Sequence, residues 1–157
     1  MAVADAPELD SSTREDEVRA LANAPAPEAI TTLLPILASD DARAVRQASA
    51  WALGETRSEA AVPALTQALL NDERHRVREA AAQALGQIRS FAAVEALIEA
   101  TSDPFSAVRA RAAEALGAIG SADAIATLVD ISQRDENANV RQTAMRLLQG
   151  HPGPNPR

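Results

Sequence analysis

The stretch Asp72-Glu-Arg-His-Arg-Val77-Arg78-Glu-Ala-Ala-Ala-Gln-Ala84-Leu85-Gly86 decides the fold of this chain. Val77, Ala80, Ala81, Ala84 and Leu85 fall at helical spacing, so the segment reads as an amphipathic helix rich in alanine. Its landmarks return along the chain. Val45-Arg46, Val77-Arg78, Val108-Arg109 and Val140-Arg141 recur at steps of 32, 31 and 32 residues. Asp40, Asp72, Asp103 and Asp135 each stand five residues before the valine, where a helix N-cap belongs. Ala52-Leu53-Gly54, Ala84-Leu85-Gly86 and Ala115-Leu116-Gly117 close three of the four copies. So many coincident positions at one period define a repeat rather than a chance composition.

A second apolar stripe follows each glycine: Val62, Leu65 and Leu69, then Val94 and Leu97, then Ile125 and Leu128, with Ile30, Leu33 and Leu37 ahead of the first full copy. Each period therefore holds two helices, here called A and B. The pattern predicts A helices near 14–23, 41–55, 73–88, 104–119 and 137–149, and B helices near 26–38, 58–70, 91–101 and 121–133. Pro104 after Asp103 suits the first turn of an A helix, and the glycines suit its C-terminal break. One such hairpin cannot bury its apolar face alone, whereas stacked hairpins bury a continuous core. Residues 1–11 and 150–157 read as disordered tails flanking a single domain over 12–149.

The period, the Asp-x4-Val-Arg start and the Ala-Leu-Gly end resemble HEAT repeats, and more specifically the HEAT-like repeats named after phycobilisome lyases. The resemblance covers roughly residues 14–149. It implies an all-α, right-handed α-solenoid of about four stacked helical hairpins plus a terminal helix. It also implies that the B helices line the concave face. Fold does not carry function here, because the repeats are scaffolding.

Composition narrows the chemistry. The 157 residues include no cysteine and no tyrosine, and all 15 basic residues are arginine. Disulfides, thiolate metal sites, cysteine nucleophiles, Schiff bases and phenolic acid catalysis are thereby excluded. His75 and His151 are the only histidines, too few for a multi-histidine metal site, and His75 falls at a solvated helix start. The net charge of −7 is concentrated in residues 1–40, which carry eight acids against two arginines. That balance disfavours nucleic acid as a partner. No apolar run is long enough to span a membrane, and the N-terminus lacks the pattern of a secretory signal, so a cytoplasmic location is expected.

The recurrent residues read as structure: the arginines as an inter-repeat ladder onto aspartates or helix ends, the glycines as helix terminators. Function in a repeat protein is sought where copies differ. Trp51 aligns with Gln83, Glu114 and Arg146, and Phe91 and Phe105 are likewise departures; each aromatic is expected to lie over a neighbouring repeat, with partner anchoring as the competing role. The B helices carry Glu28, Glu59, Glu95, Glu99, Asp123 and Asp130 and no arginine. Two variable rows follow from the period: Thr31, Pro63, Glu95 and Ala126, then Pro35, Gln67, Glu99 and Asp130. A binding site centred on Glu95, Glu99 and Asp130, with Thr31, Gln67 and Trp51 as further candidates, would take a protein with a basic or polar surface.

The ends also depart from the period. Val18 precedes Val45 by only 27 residues, so the first hairpin reads as a short cap, with Ser12, Thr13, Glu15 and Asp16 starting it. Met145 and Leu147 replace alanines of the internal copies, which suggests either internal closure or self-association through the C-terminal helix. No nucleophile, base and orienting group cluster along the chain, so the expected function is a non-catalytic protein-binding scaffold without cofactor. The alternative implied by the resemblance is a subunit of a bilin lyase-like enzyme. Deoxyhypusine hydroxylases share such repeats but need His-Glu pairs, which this chain lacks; HEAT-like DNA glycosylases need a basic cleft, which acidic B helices oppose.

Overall fold

A computed structural model of the chain describes residues 10–150. Nine α-helices make up the described residues: α1 (Ser11–Ala20), α2 (Ala26–Ser39), α3 (Arg43–Glu55), α4 (Val62–Asn71), α5 (His75–Ile88), α6 (Val94–Ala100), α7 (Ser106–Ile119), α8 (Ala122–Arg134) and α9 (Ala138–Gln149). Odd-numbered helices are the A helices and even-numbered ones the B helices. Each A helix packs on the next A helix, and α3, α5, α7 and α9 each pack on the B helix that precedes them in the chain, so the packed hairpins run B to A and the array is a two-layered all-α solenoid. The expected tails fall largely on 1–9 and 151–157, outside the described residues, although α1 begins at Ser11, inside the expected tail.

The interior is built from the periodic rows. Val45, Val77, Val108 and Val140 are buried, as are Leu53, Leu85 and Leu116 in the A helices and Leu33, Leu65, Leu97 and Leu128 in the B helices. Alanine rows fill the narrow space between adjacent A helices. Burial of these aliphatic groups is the main stabilising term, at roughly 25 cal/mol per Å² of apolar surface removed from water.

Four expectations change at the level of local structure. First, the repeat aspartates are not N-caps. The N-cap positions are Ala42, Arg74, Phe105 and Asn137, two residues later, and each takes its own N–H onto the aspartate Oδ1 at 2.8–2.9 Å. The aspartate thus closes an Asx turn ahead of the helix and leaves its second oxygen for another partner. Pro104 accordingly precedes α7 rather than starting it.

Second, the glycines do not terminate helices. Gly54, Gly86 and Gly117 lie inside α3, α5 and α7. A Cβ on Gly54 would stand 2.8 Å from the Ala84 Cα, and one on Gly86 would stand 2.9 Å from the Ala115 Cα. Gly54 and Gly86 let α3, α5 and α7 approach almost backbone to backbone, whereas Gly117 makes room for the Leu147 side chain of α9. The turns behind the helices use Arg57, Arg89 and Gly120, all at positive φ.

Third, the first hairpin is not short. Arg14, preceded by Thr13 instead of valine, occupies the ladder position, 32 residues before Arg46. Its Nη2 reaches Asp40 at 3.2 Å and Asp41 at 2.9 Å. Val18 is a core residue one helical turn further on, and Arg19 pairs with Glu15.

Fourth, α8 extends to Arg134, which pairs with Asp130 at 2.7 Å, so the B layer is not free of arginine.

The arginine ladder itself is present. Arg46, Arg78 and Arg109 each fork onto the aspartate of the following repeat, Nε to one oxygen at 2.7–2.9 Å and Nη2 to the other at 3.0–3.2 Å. The Nη1 of each donates to the backbone oxygen of its own repeat's aspartate. Every rung therefore ties three points: two successive loops and one helix. The Asp72 hydrogen bond pushes the Arg46 guanidinium up from its ordinary value, as the Asp135 hydrogen bond does for Arg109. Burial would raise the Asp135 carboxyl, but the Arg109 and Asn137 hydrogen bonds together with the nearby guanidinium charges outweigh it and hold it below 3.8.

Candidate functional site

Because the A helices meet through glycine and alanine, they stand closer together than the B helices do. A two-layered stack with unequal spacing bends toward its tighter layer. The A layer is therefore the inner face, and the expectation that the B helices line the concavity is corrected. The glycines sit within the helices as packing residues and not at their ends, and it is this placement that sets the close spacing.

A groove crosses this inner face and draws its walls from α1, α3, α5 and α7. Arg19, Gln47, Trp51, Arg76, Glu79 and Arg111 line it. Trp51 is 39% exposed, so much of the indole is open to a partner. Arg76 and Arg111 converge on Glu79 from successive A helices: Arg76 Nη1 lies 3.1 Å from one Glu79 oxygen and Arg111 Nε 3.6 Å from the other. Arg111 also pairs with Glu114 at 2.8 Å, and this hydrogen bond pushes its guanidinium up. Glu79 is mostly covered, whereas Arg76 keeps much of its surface in solvent. The lining thus presents three arginines against one glutamate, in a chain whose net charge is −7. Gln87, also in the lining, donates to Glu55 at 2.6 Å while its carbonyl oxygen is buried without a hydrogen-bond partner among the described residues.

The other candidates lie on the opposite face. Thr31, Gln67, Glu95, Glu99 and Asp130 are all exposed, as are Pro35, Pro63 and Ala126 in the same rows. The two rows read from the period therefore do project outward, but from the outer layer, and Trp51 is not among them. The acids there are not equivalent: Glu59 accepts from Ser90 of the following repeat at 2.6 Å, and Asp130 is paired with Arg134. Of the other aromatics, Phe105 lies over a neighbouring repeat as expected. Its ring stacks on His75 with centroids 4.1 Å apart, and the Arg78 guanidinium lies 5.7 Å from its centroid. His75 is thus a packing partner. Phe91 stands 72% exposed at the start of a 3₁₀ turn.

Among the described residues, no group of three His, Asp or Glu side chains is placed to hold a metal ion. No described helix is long and apolar enough to cross a membrane.

The HEAT-repeat family profile matches residues 8–86 and 62–149. Two overlapping matches spanning nearly the whole chain, on a solenoid of paired helices, define the class: the chain belongs to the HEAT-repeat family. Among solved structures it is similar to the complex of CpcE and CpcF of phycocyanin lyase from Nostoc sp. PCC7120, with 26% identity and a TM-score of 0.74 over 94% of this chain and 67% of that one. It is also similar to human deoxyhypusine hydroxylase, with 28% identity and a TM-score of 0.67 over 76% of this chain. The match spans only 42% of the hydroxylase. An engineered protein matches with 27% identity and a TM-score of 0.65, covering 90% of this chain and 76% of that one. No curated protein sequence matches the chain. The likeness to the phycobilisome-lyase type of repeat is thus seen in structure as well as in motif.

Proposed function

We propose that this chain is a non-catalytic protein-binding module whose inner, A-helix groove receives an acidic segment of its partner. The observation that supports this is the groove itself: it spans four helices, concentrates arginine in an acidic protein, and includes the single, partly exposed tryptophan in its lining. Carboxylates of the partner would meet Arg76 and Arg111, and an apolar side chain would cover Trp51, the residue type most enriched at binding hot spots. This reading replaces a basic partner on the B face by an acidic one on the A face.

Because Trp51 is the only tryptophan, its fluorescence reports the groove directly. The test is a panel of peptides in which one leucine is flanked by glutamates at varied spacing, with a lysine panel beside it. Acidic peptides are expected to shift Trp51 emission, and the double variant Arg76→Glu with Arg111→Glu to lose the response at unchanged helicity. Glu95→Arg with Glu99→Arg should leave it intact. Binding of the lysine panel, lost in the Glu95/Glu99 variant, would return the site to the B face.

A second reading follows from the structural likeness to a lyase complex of two proteins: the chain would serve as one subunit of an enzyme assembly. Titration of the purified chain with a bilin, followed by visible absorbance, addresses it; an unchanged bilin spectrum counts against that reading.

A further inference from the structure

The two ends of the stack are built differently, and the difference is complementary. Each internal A helix covers the next with one stripe: Arg46, Ala50 and Gly54; Arg78, Ala82 and Gly86; Arg109, Ala113 and Gly117. In α9 the stripe reads Arg141, Met145 and Gln149, and no described helix follows it. Met145 is 47% exposed, whereas the three alanines at its position are fully buried. In the B layer, Leu34, Thr66 and Ile98 are half-buried, and their counterpart Val129 is exposed. Leu147, by contrast, closes inward against Gly117. Arg141 is held like the other ladder arginines, its Nη1 donating to the Asp135 and Glu136 backbone oxygens at 2.7 and 3.1 Å. Its Nε and Nη2, which in the other three take an aspartate, meet no acceptor among the described residues.

At the opposite end, the register set by Arg14 places Asp16 and Glu17 in the rows that face a preceding repeat. Those rows hold Ala48 and Ser49 in α3 and Ala80 and Ala81 in α5. Asp16 and Glu17 are exposed, and neither is ion-paired among the described residues. One end thus offers an immobilised guanidinium fork beside an apolar side chain. The other offers two carboxylates in the rows that such a stripe meets inside the molecule.

We propose that the chain associates head to tail with a second copy of itself. The Arg141 and Met145 end of α9 docks on the Asp16 and Glu17 face of α1. Gln149, standing where the internal stripes have glycine, keeps the two helices wider apart than within one chain, so the contact runs through long side chains. The interface is heterologous, and assemblies grow with concentration unless the rotation closes a ring. None of these four residues lines the groove around Trp51, so the association is independent of partner binding there.

Light scattering of the full chain across concentration and salt tests this. The mass is expected to rise with concentration at low salt and fall as salt screens the pairs. Arg141→Ala, Met145→Glu and the double variant Asp16→Lys with Glu17→Lys should each weaken association by about tenfold or more. Met145→Glu leaves the ladder untouched, so its effect is separate from any folding defect of Arg141→Ala. Mixing Arg141→Ala with the Asp16/Glu17 variant joins one intact end of each, so the mixture should form dimers and stop there. A wild-type chain that stays monomeric at hundreds of micromolar and low salt overturns the proposal. So does an Asp16/Glu17 variant that associates like the wild type, which would mean pairing of two α9 ends.

Discussion

The A layer is richer in alanine and glycine than the B layer, and the two do different work. Between A helices the contact is backbone against backbone, through Gly54 on Ala84 and Gly86 on Ala115, and it admits no extra atom. Between B helices the contact is looser and runs through side chains, with Leu65, Leu97 and Leu128 pointing inward and the variable rows outward. The tight layer sets the curvature and so creates the groove. The loose layer tolerates almost any outward residue, including two prolines, Pro35 and Pro63, in the exposed rows. Variation between repeats therefore marks a binding surface only on the layer where curvature makes a recess; on the other layer it marks solvent.

The sharpest way to break this contrast is to add volume to each layer. Gly86→Leu must force α5 and α7 apart, at a cost of about 3 kcal/mol or more, whereas Ala126→Leu on the exposed B row should change stability by no more than about 0.5 kcal/mol. Thermal melts of the two variants measure both. Equal effects would mean that the layers are not differently packed.

Next in size is the ladder. Arg109→Ala leaves the Asp135 carboxylate buried with only the Asn137 N–H, and should cost about 2 kcal/mol in denaturant unfolding. The same rung gives a pH dependence. The Asp135 carboxyl, and likewise that of Asp40, is held below its unfolded value of 3.8. The stability each contributes is present above that value and is lost as pH falls through the depressed folded value. Acid unfolding of the wild type should thus show a loss in that window that is smaller in Arg109→Ala.

A stabilising change sharpens the comparison from the other side. The Ser49 hydroxyl is fully buried in the A layer without a hydrogen-bond partner, at a position where Ala81, Ala112 and Ala144 stand in the other repeats. Ser49→Ala should raise stability by about 1 kcal/mol and the melting temperature by a few degrees. The smallest effect is expected from Glu95→Arg with Glu99→Arg, within about 0.5 kcal/mol, because both side chains face solvent on the outer layer.

Much of the molecule is legible from residue order alone. The recurrence of Val-Arg and Ala-Leu-Gly is enough to place the helices, the leucine and valine rows of the core, and the arginine ladder, because helical periodicity and an inter-repeat ion pair are both local to one period of sequence. Which B helix each A helix packs on was not legible there, since the packed hairpins run B to A. Even so, Arg14 escaped the pattern: Thr13 replaces valine beside it, and only its approach to Asp40 shows that the first hairpin has the full length. Which layer bends inward lay beyond a one-dimensional reading. Curvature is the difference between two inter-helix spacings, and those spacings depend on which face of each helix its glycine occupies. Trp51 could be singled out as an oddity in a polar slot, but its place among Arg76, Glu79 and Arg111 joins side chains from different repeats. That juxtaposition exists only once the repeats are stacked, since packing, not sequence proximity, brings α3, α5 and α7 to one surface.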